Sequence, residues 1–175
     1  LSRLVFDKSA QEYGQEKIMR KDKNVKQDEV SGSKNPLYPV FLKLDALELL
    51  LVGAGNVGLE KLQSLLCNAP GAKITVVAPL VLDEVRQLLA AHPSCQLKER
   101  EFVEADLEHK DLLVLATDNP ELHREVKQKA NAKGILVNVA DTPELCDFYL
   151  GSIVQKGNLK IAISTNGKSP TAGKR

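Results

Sequence analysis

Leu47-Glu48-Leu49-Leu50-Leu51-Val52-Gly53-Ala54-Gly55-Asn56-Val57-Gly58 is an apolar strand pattern that runs straight into G-x-G-x-x-G. A strand that turns into a helix in this way builds an anion site from backbone alone. Gly53 permits the tight turn, Gly55 lets a diphosphate approach the main chain, and Gly58 lets the helix pack close to the sheet. The first-turn N–H groups then face the phosphates, and the helix dipole adds about 0.3–1 kcal/mol. Val57, Leu59, Leu62, Leu65 and Leu66 continue at helical spacing, a context that favours a dinucleotide site over the alternative of a glycine turn kept for packing alone.

The same alternation extends outward. Val40-Phe41-Leu42 reads as a short strand, with a turn around Asp45. After the helix over 57–67, stopped by Ala69-Pro70-Gly71, Lys73 to Ala78 reads as a second strand ended by Pro79. Leu82, Val85, Leu88 and Leu89 mark an amphipathic helix to about Ala91, and Cys95 to Phe102 suits an edge strand. Leu112 to Ala116 is a continuous apolar run, as a central parallel strand requires. Thr117-Asp118-Asn119-Pro120 supplies a helix cap followed by proline. Leu122, Val126 and Ala130 stripe that helix, Gly134 closes it, and Ile135 to Val139 forms another strand. The expected fold is α/β, a doubly wound parallel sheet of Rossmann type. Ser152 to Gln155, Lys156-Gly157-Asn158 and Leu159 to Ser164 then read as a β-hairpin. A lone hairpin is marginal in water, so a partner chain or further residues are expected to complete it.

The chain has 175 residues, room for one ordinary domain with a small appendage. Its 24 basic and 23 acidic residues leave a net charge of +1, which argues against a general nucleic-acid or membrane-surface role. No apolar stretch approaches a membrane span, and no secretory signal is visible. Three scattered cysteines, Cys67, Cys95 and Cys146, suit reduced thiols in the cytoplasm. His92, His109 and His123 form no metal pattern, so surface or capping roles are expected of them and no metal site is assigned. Residues 1–36 carry eight basic and six acidic residues and the breaker cluster Ser31 to Pro36. They read as a mobile leader or linker with a frayed helix near Gln11 to Arg20. The start at Leu1 rather than Met suggests that residues precede it.

In an open α/β sheet the ligand lies beyond the carboxyl ends of the strands. The residues expected there are Gly53 to Gly58, Ala78-Pro79-Leu80, Thr117-Asp118-Asn119 and Asn138 to Asp141. The acid that usually ends the second strand and holds the ribose is missing; Ala78 and Pro79 take its place, and no arginine stands there for a 2′-phosphate. Asp141 follows the last parallel strand, where a nicotinamide ring would lie. Position alone leaves two readings open. The carboxylate takes a proton as hydride leaves, or it opens the turn Asp141-Thr142-Pro143 through an Asx bond. Cys146 reads as a packed thiol.

An ordered series of motifs resembles the precorrin-2 dehydrogenase family, the siroheme-synthase-type enzymes that oxidise precorrin-2 to sirohydrochlorin with NAD. The series runs from Tyr38-Pro39-Val40-Phe41 through Val52 to Gly58 with Lys61, then Ala116-Thr117-Asp118. It continues with Asn138-Val139-Ala140-Asp141 before Cys146-Asp147-Phe148, and closes on Ile161 to Pro170. The glycine turn is common to many folds; the last two motifs in this order are specific, and the match spans roughly residues 38–175.

The resemblance implies that residues 37–144 form the NAD-binding domain and that 145–175 begin a dimerisation domain whose C-terminal helical part is absent. It implies a homodimer that exchanges the hairpin, with precorrin-2, a tetrapyrrole, as substrate; the cytoplasmic location rests on the cysteines alone. Asp141 matches the family's catalytic aspartate. Asn56 and Val57 match the segment that holds the cofactor phosphates, Pro79 and Leu80 the segment beside its adenosine, and Ser164 and Thr165 a turn near the active site, expected to bind substrate. Gly53, Gly55, Gly58, Thr117, Asp118, Asn138 and Val139, at the strand ends, complete the expected cofactor-binding set, and Lys168 is expected to join the substrate-binding one. Thr165 stands where some members have a second serine, Gly151 where many have proline, and Gly58 where alanine is common. The first change puts any role special to serine in doubt, and Gly151 is expected to loosen the entry to the hairpin. Lys156, Lys160, Lys168 and Lys174 are candidates for the substrate's acid arms. Some members also insert ferrous iron, so a bifunctional dehydrogenase and ferrochelatase is a second expectation. A non-catalytic NAD-sensing module is a third, although it gives no reason for the Asp141 segment.

Overall fold

The computed structural model describes residues 35–166. The chain separates into two units, Leu1–Lys34 and Asn35–Arg175, and everything described belongs to the second. The leader reading of residues 1–34, Lys168, Lys174 and the Ser169-Pro170 helix start lie outside the described residues.

Strand β1 (Glu48–Ala54) leads into helix α1 (Asn56–Asn68), β2 (Lys73–Val81), α2 (Asp83–Ala90) and β3 (Gln96–Lys98). Then come β4 (Leu112–Leu115), α3 (Pro120–Ala132) and β5 (Leu136–Val139). The five strands form one parallel sheet in the order β3-β2-β1-β4-β5. Its order reverses between β1 and β4, the switch point where such sheets open a crevice. A separate antiparallel pair, β6 (Ser152–Lys156) and β7 (Leu159–Ile163), closes the described chain. The parallel Rossmann-type sheet and the hairpin are thus both present as expected.

Period-two alternation divides the core. Leu49 and Leu51 face the layer that holds Leu62, Leu65 and Leu66 of α1 and Val85 of α2. Leu50 and Val52 face the opposite layer, with Val126 and Ala130 of α3 and Leu107. Covering both faces explains why β1 and β4 read as unbroken apolar runs. Burying each Leu or Val of this kind contributes about 1.5–3 kcal/mol. Helix α3 starts as its sequence predicts: the Asn119 side chain accepts from the N–H groups of Glu121 and Leu122, both at 3.1 Å, and Pro120 follows. It ends with Ile135 N–H donating to Ala130 O, the return bond of a Schellman-type stop.

Four expectations need correction. Val40-Phe41-Leu42 is not a strand; it pairs with no described strand, and Phe41 is 68% exposed. Three apolar residues qualify by composition, but no sheet edge is offered to them. Pro79 does not end β2, which continues to Val81 and pairs it with Ala54 after a register shift between Val52 and Ala54. The irregularity falls where the missing proline N–H breaks no ladder bond. The edge strand over 95–102 shrinks to Gln96–Lys98, because Arg100 turns to hold the buried carboxylate of Asp106 with bonds of 2.6 and 2.7 Å. Gly151 does not loosen the hairpin: a Cβ there would lie 2.6 Å from Ile163 O, so the two main chains are pressed together.

Gly53 carries φ 106°, and a Cβ added to it would meet Ala116 O at 2.4 Å. Gly53→Ala is therefore expected to destabilise the domain by more than about 2 kcal/mol. A Cβ on Gly55 meets no atom within 4 Å, so Gly55→Ala should leave stability within about 0.5 kcal/mol of wild type. Urea midpoints compare the two, and equal losses would contradict this account of the turn.

Candidate functional site

The carboxyl ends of β1, β2, β4 and β5 open on a cleft of about 800 Å³. Gly53, Gly55, Asn56 and Val57 border it, as do Pro79 and Leu80, Thr117 and Asp118, and Asp141. Topology brings together residues that the sequence separates by almost ninety positions.

Helix α1 begins at the Gly55 N-cap with no side-chain cap, and its first turn holds no acid. Its leading N–H groups are thus left to whatever enters the cleft. Nothing of the protein fills the space a Gly55 Cβ would take, so that glycine keeps the mouth open. Gly58 does not border the cleft. It is buried, and a Cβ on it would meet Gly53 O at 2.2 Å, so its role is to seat the helix. The cleft lining holds three carboxylates, Glu101, Asp118 and Asp141, and neither lysine nor arginine. The lining thus offers an entering anion main-chain amides rather than a cationic side chain.

Asp141 has φ 56°, a left-handed conformation unusual for a residue with a side chain. The Asx reading is not realised: among the described residues no hydrogen bond engages its carboxylate. The turn is closed instead by Thr142, whose hydroxyl donates to Ala140 O at 3.2 Å and whose N–H donates to Val139 O at 3.4 Å. Asp141 stands exposed at the cleft wall.

Asn138 and Val139 do not line the cleft; they are buried behind it. Asn138 donates from Nδ2 to Phe148 O at 2.8 Å, and Val139 N–H donates to Cys146 Sγ at 3.2 Å. Asp147 accepts from Val137 N–H at 2.9 Å and pairs with Lys127. The segment around Asp141 is thereby tied back to β5. Cys146 is the packed thiol expected, and burial pushes its pKa up. Ser164 and Thr165 follow β7 and are not part of the cleft lining; Asn35 Nδ2 donates to Ser164 O at 3.2 Å. Lys160 is not left for a substrate arm, because its ammonium donates to Asn68 O at 2.7 Å.

Glu101 and His123 are among the cleft residues that escaped the sequence reading. Glu101 follows the truncated β3. His123 is not at the surface: it is only 4% exposed, and its Nε2 lies 2.8 Å from Thr117 Oγ1 in a hydrogen bond. His123 falls in the apolar stripe of α3 with Val126 and Ala130, a spacing that could have marked it as inward-facing.

Residues 40–152 match a family model described as NAD(P)-binding, and residues 156–175 match one described as sirohaem biosynthesis protein central. The siroheme synthase of Psychrobacter arcticus is 37% identical over 133 residues, covering 76% of this chain and 24% of that protein. The siroheme synthase of Pseudoalteromonas atlantica is 40% identical over 133 residues, covering 76% and 28%. The chain thus spans about a quarter of the length of these curated relatives. Among solved structures, SirC, a precorrin-2 dehydrogenase, superposes with a TM-score of 0.67 at 31% identity, covering 79% of this chain and 66% of that one.

Burial holds the His123 imidazole below its ordinary pKa. The unfolded chain takes up this proton near pH 6.5 and the folded chain only at lower pH. The stability it contributes is fully present above about pH 6.5 and lost as pH falls through the folded value. Asp106, held well below the usual carboxylate range by Arg100, acts in a separate window below about pH 4. The thermal midpoint should therefore fall more between pH 7 and 5 in wild type than in His123→Gln. Parallel pH profiles for the two would remove His123 as the cause.

Proposed function

The chain belongs to the NAD(P)-binding family whose model it matches over residues 40–152, and from that membership we propose that it is an NAD-dependent dehydrogenase that oxidises precorrin-2 to sirohydrochlorin in siroheme biosynthesis. One observation carries the reading. An uncapped helix start and a left-handed Asp141, whose carboxylate has no partner among the described residues, border a single cleft. Similarity to siroheme synthases and to SirC supplies the substrate class.

The residues fit the cofactor. The space beside Gly55 admits a diphosphate to the first-turn amides of α1, without a cationic side chain in the lining. Bound there, NAD supplies the acceptor for a hydride. Asp141 accepts the accompanying proton as the macrocycle gains conjugation, a task for which a carboxylate at the cleft wall needs no other partner. The Thr117–His123 hydrogen bond fixes the loop after β4 that forms part of the same wall.

A second copy of the chain completes the hairpin. Ile153, Val154, Leu159, Ile161 and Ile163 are all exposed on this two-stranded sheet, which needs further apolar cover to be stable in water. The three free thiols suit a reducing cytoplasm.

Anaerobic incubation of the full chain with precorrin-2 and NAD should produce the absorbance of sirohydrochlorin. Asp141→Asn should cut turnover by about 10²–10⁴-fold while NAD affinity stays the same, the pattern of a lost general base. Turnover unchanged in that variant would remove Asp141 from the chemistry, and none in wild type would remove the function. Sedimentation should show a dimer, and Ile161→Glu should shift it to monomer; a wild-type monomer would contradict the shared hairpin.

A further inference from the structure

We propose that Glu101 recognises the adenosine ribose and makes the cleft selective for NAD over NADP. The inference rests on the nucleotide reading above and adds a residue to it. In sheets of this topology the adenosine end of the ligand lies over the second strand, where a carboxylate ordinarily accepts from the ribose hydroxyls. Strand β2 provides none: Ala78 is buried, Pro79 has no N–H, and Leu80 is apolar and 83% exposed. The loop that follows the neighbouring strand, β3, carries an acid in its place. Val77 pairs with Lys98 in the parallel β2–β3 register. Leu80 and Glu101 each stand three residues further on, and both border the cleft.

The main chain at Glu101 is held in place. Arg100 Nη1 donates to Glu101 O at 2.8 Å while the same guanidinium grips the buried Asp106 carboxylate. Asp106 also accepts from Lys98 at 3.0 Å and from Val103 N–H at 3.1 Å. The clamp therefore fixes both ends of the loop that carries Glu101.

Charge accounting separates Glu101 from its neighbours. Glu99 pairs with Arg86, Glu104 with Lys129, and Asp106 with Arg100 and Lys98. Among the described residues, no ion pair or hydrogen bond engages the Glu101 carboxylate. The arginines nearest the end of β2 are committed: Arg86 to Glu99, Asp83 and Val81 O, and Arg100 to Asp106. A ribose hydroxyl can donate to Glu101. A 2′-phosphate brings further negative charge to a lining of three carboxylates with no lysine or arginine.

Calorimetric titration of the full chain with NAD and with NADP tests the assignment. Wild type should bind NAD at least about 100-fold more tightly than NADP, because the wrong ligand loses a charge-assisted bond and meets a like charge. Glu101→Gln should weaken NAD about tenfold and tighten NADP, and Glu101→Arg should reverse the preference. Circular dichroism checks that these exposed substitutions leave the fold intact. NAD binding with no preference in wild type, or a preference unchanged in Glu101→Gln, overturns the role of Glu101 and leaves the cofactor reading standing. Failure of wild type to bind either nucleotide overturns both.

Discussion

The close approach of three main-chain segments governs this structure. The carbonyl of Gly53 lies where a Cβ on Gly58 would need to be, at 2.2 Å, and the carbonyl of Ala116 lies 2.4 Å from where a Cβ on Gly53 would be. Backbone oxygens have no rotamer in which to retreat, so both positions must be bare. The end of β1, the first turn of α1 and the end of β4 consequently meet without side chains between them. That contact sets the distance between the open amides of α1 and the Thr117 loop, and so the width of the cleft. Gly55 belongs to a different category, because a side chain there would touch nothing of the protein. Two of the three glycines build the fold, and the third preserves an opening.

Local chemistry was readable in the sequence wherever the determinants lie within a few residues. The β1–α1 turn, the Asn119-Pro120 cap and the hairpin turn around Gly157-Asn158 each carry their own instructions, although Lys156, read as part of that turn, belongs to β6. Readings failed where a distant partner decides the outcome. Val40 to Leu42 has strand composition, but a strand exists only if an edge accepts it. Pro79 reads as a terminator until the irregularity opposite it, between Val52 and Ala54, is known. Arg100 looks like one more edge-strand residue until Asp106 is seen to be buried beneath it. The site followed the same division: Gly53 to Val57 and Asp141 were legible, whereas Glu101 and His123 enter the cleft only because β3 is cut short and α3 turns that face inward.

Paired charges and unpaired charges perform different work here. Asp106 is nearly inaccessible to water, and its pKa is held far below the usual range by Arg100 with help from Val103 N–H and Lys98. Removing one member would leave a costly orphan, so the cluster acts as a unit that fixes the loop between β3 and β4. Lys127 and Asp147 do the same for the segment after β5, with Asp147 also accepting from Val137 N–H. Each of these clamps lies beside a carboxylate that has no described partner: Glu101 beside the first, Asp141 within a few residues of the second.

That arrangement gives the left-handed conformation of Asp141 a physical meaning. A residue with φ 56° carries backbone strain unless its flanks dictate the geometry. The flanks here do: Val139 is locked by Cys146 Sγ, and the turn from Ala140 to Leu145 is closed by Thr142. Asn138, Cys146 and Asp147 therefore support the cleft without lining it, because they hold in place the segment that presents the Asp141 carboxylate. The resemblance read from the sequence groups these residues in one motif. The structure divides their labour, with the buried polar groups spent on the bend and Asp141 alone presented to the ligand side.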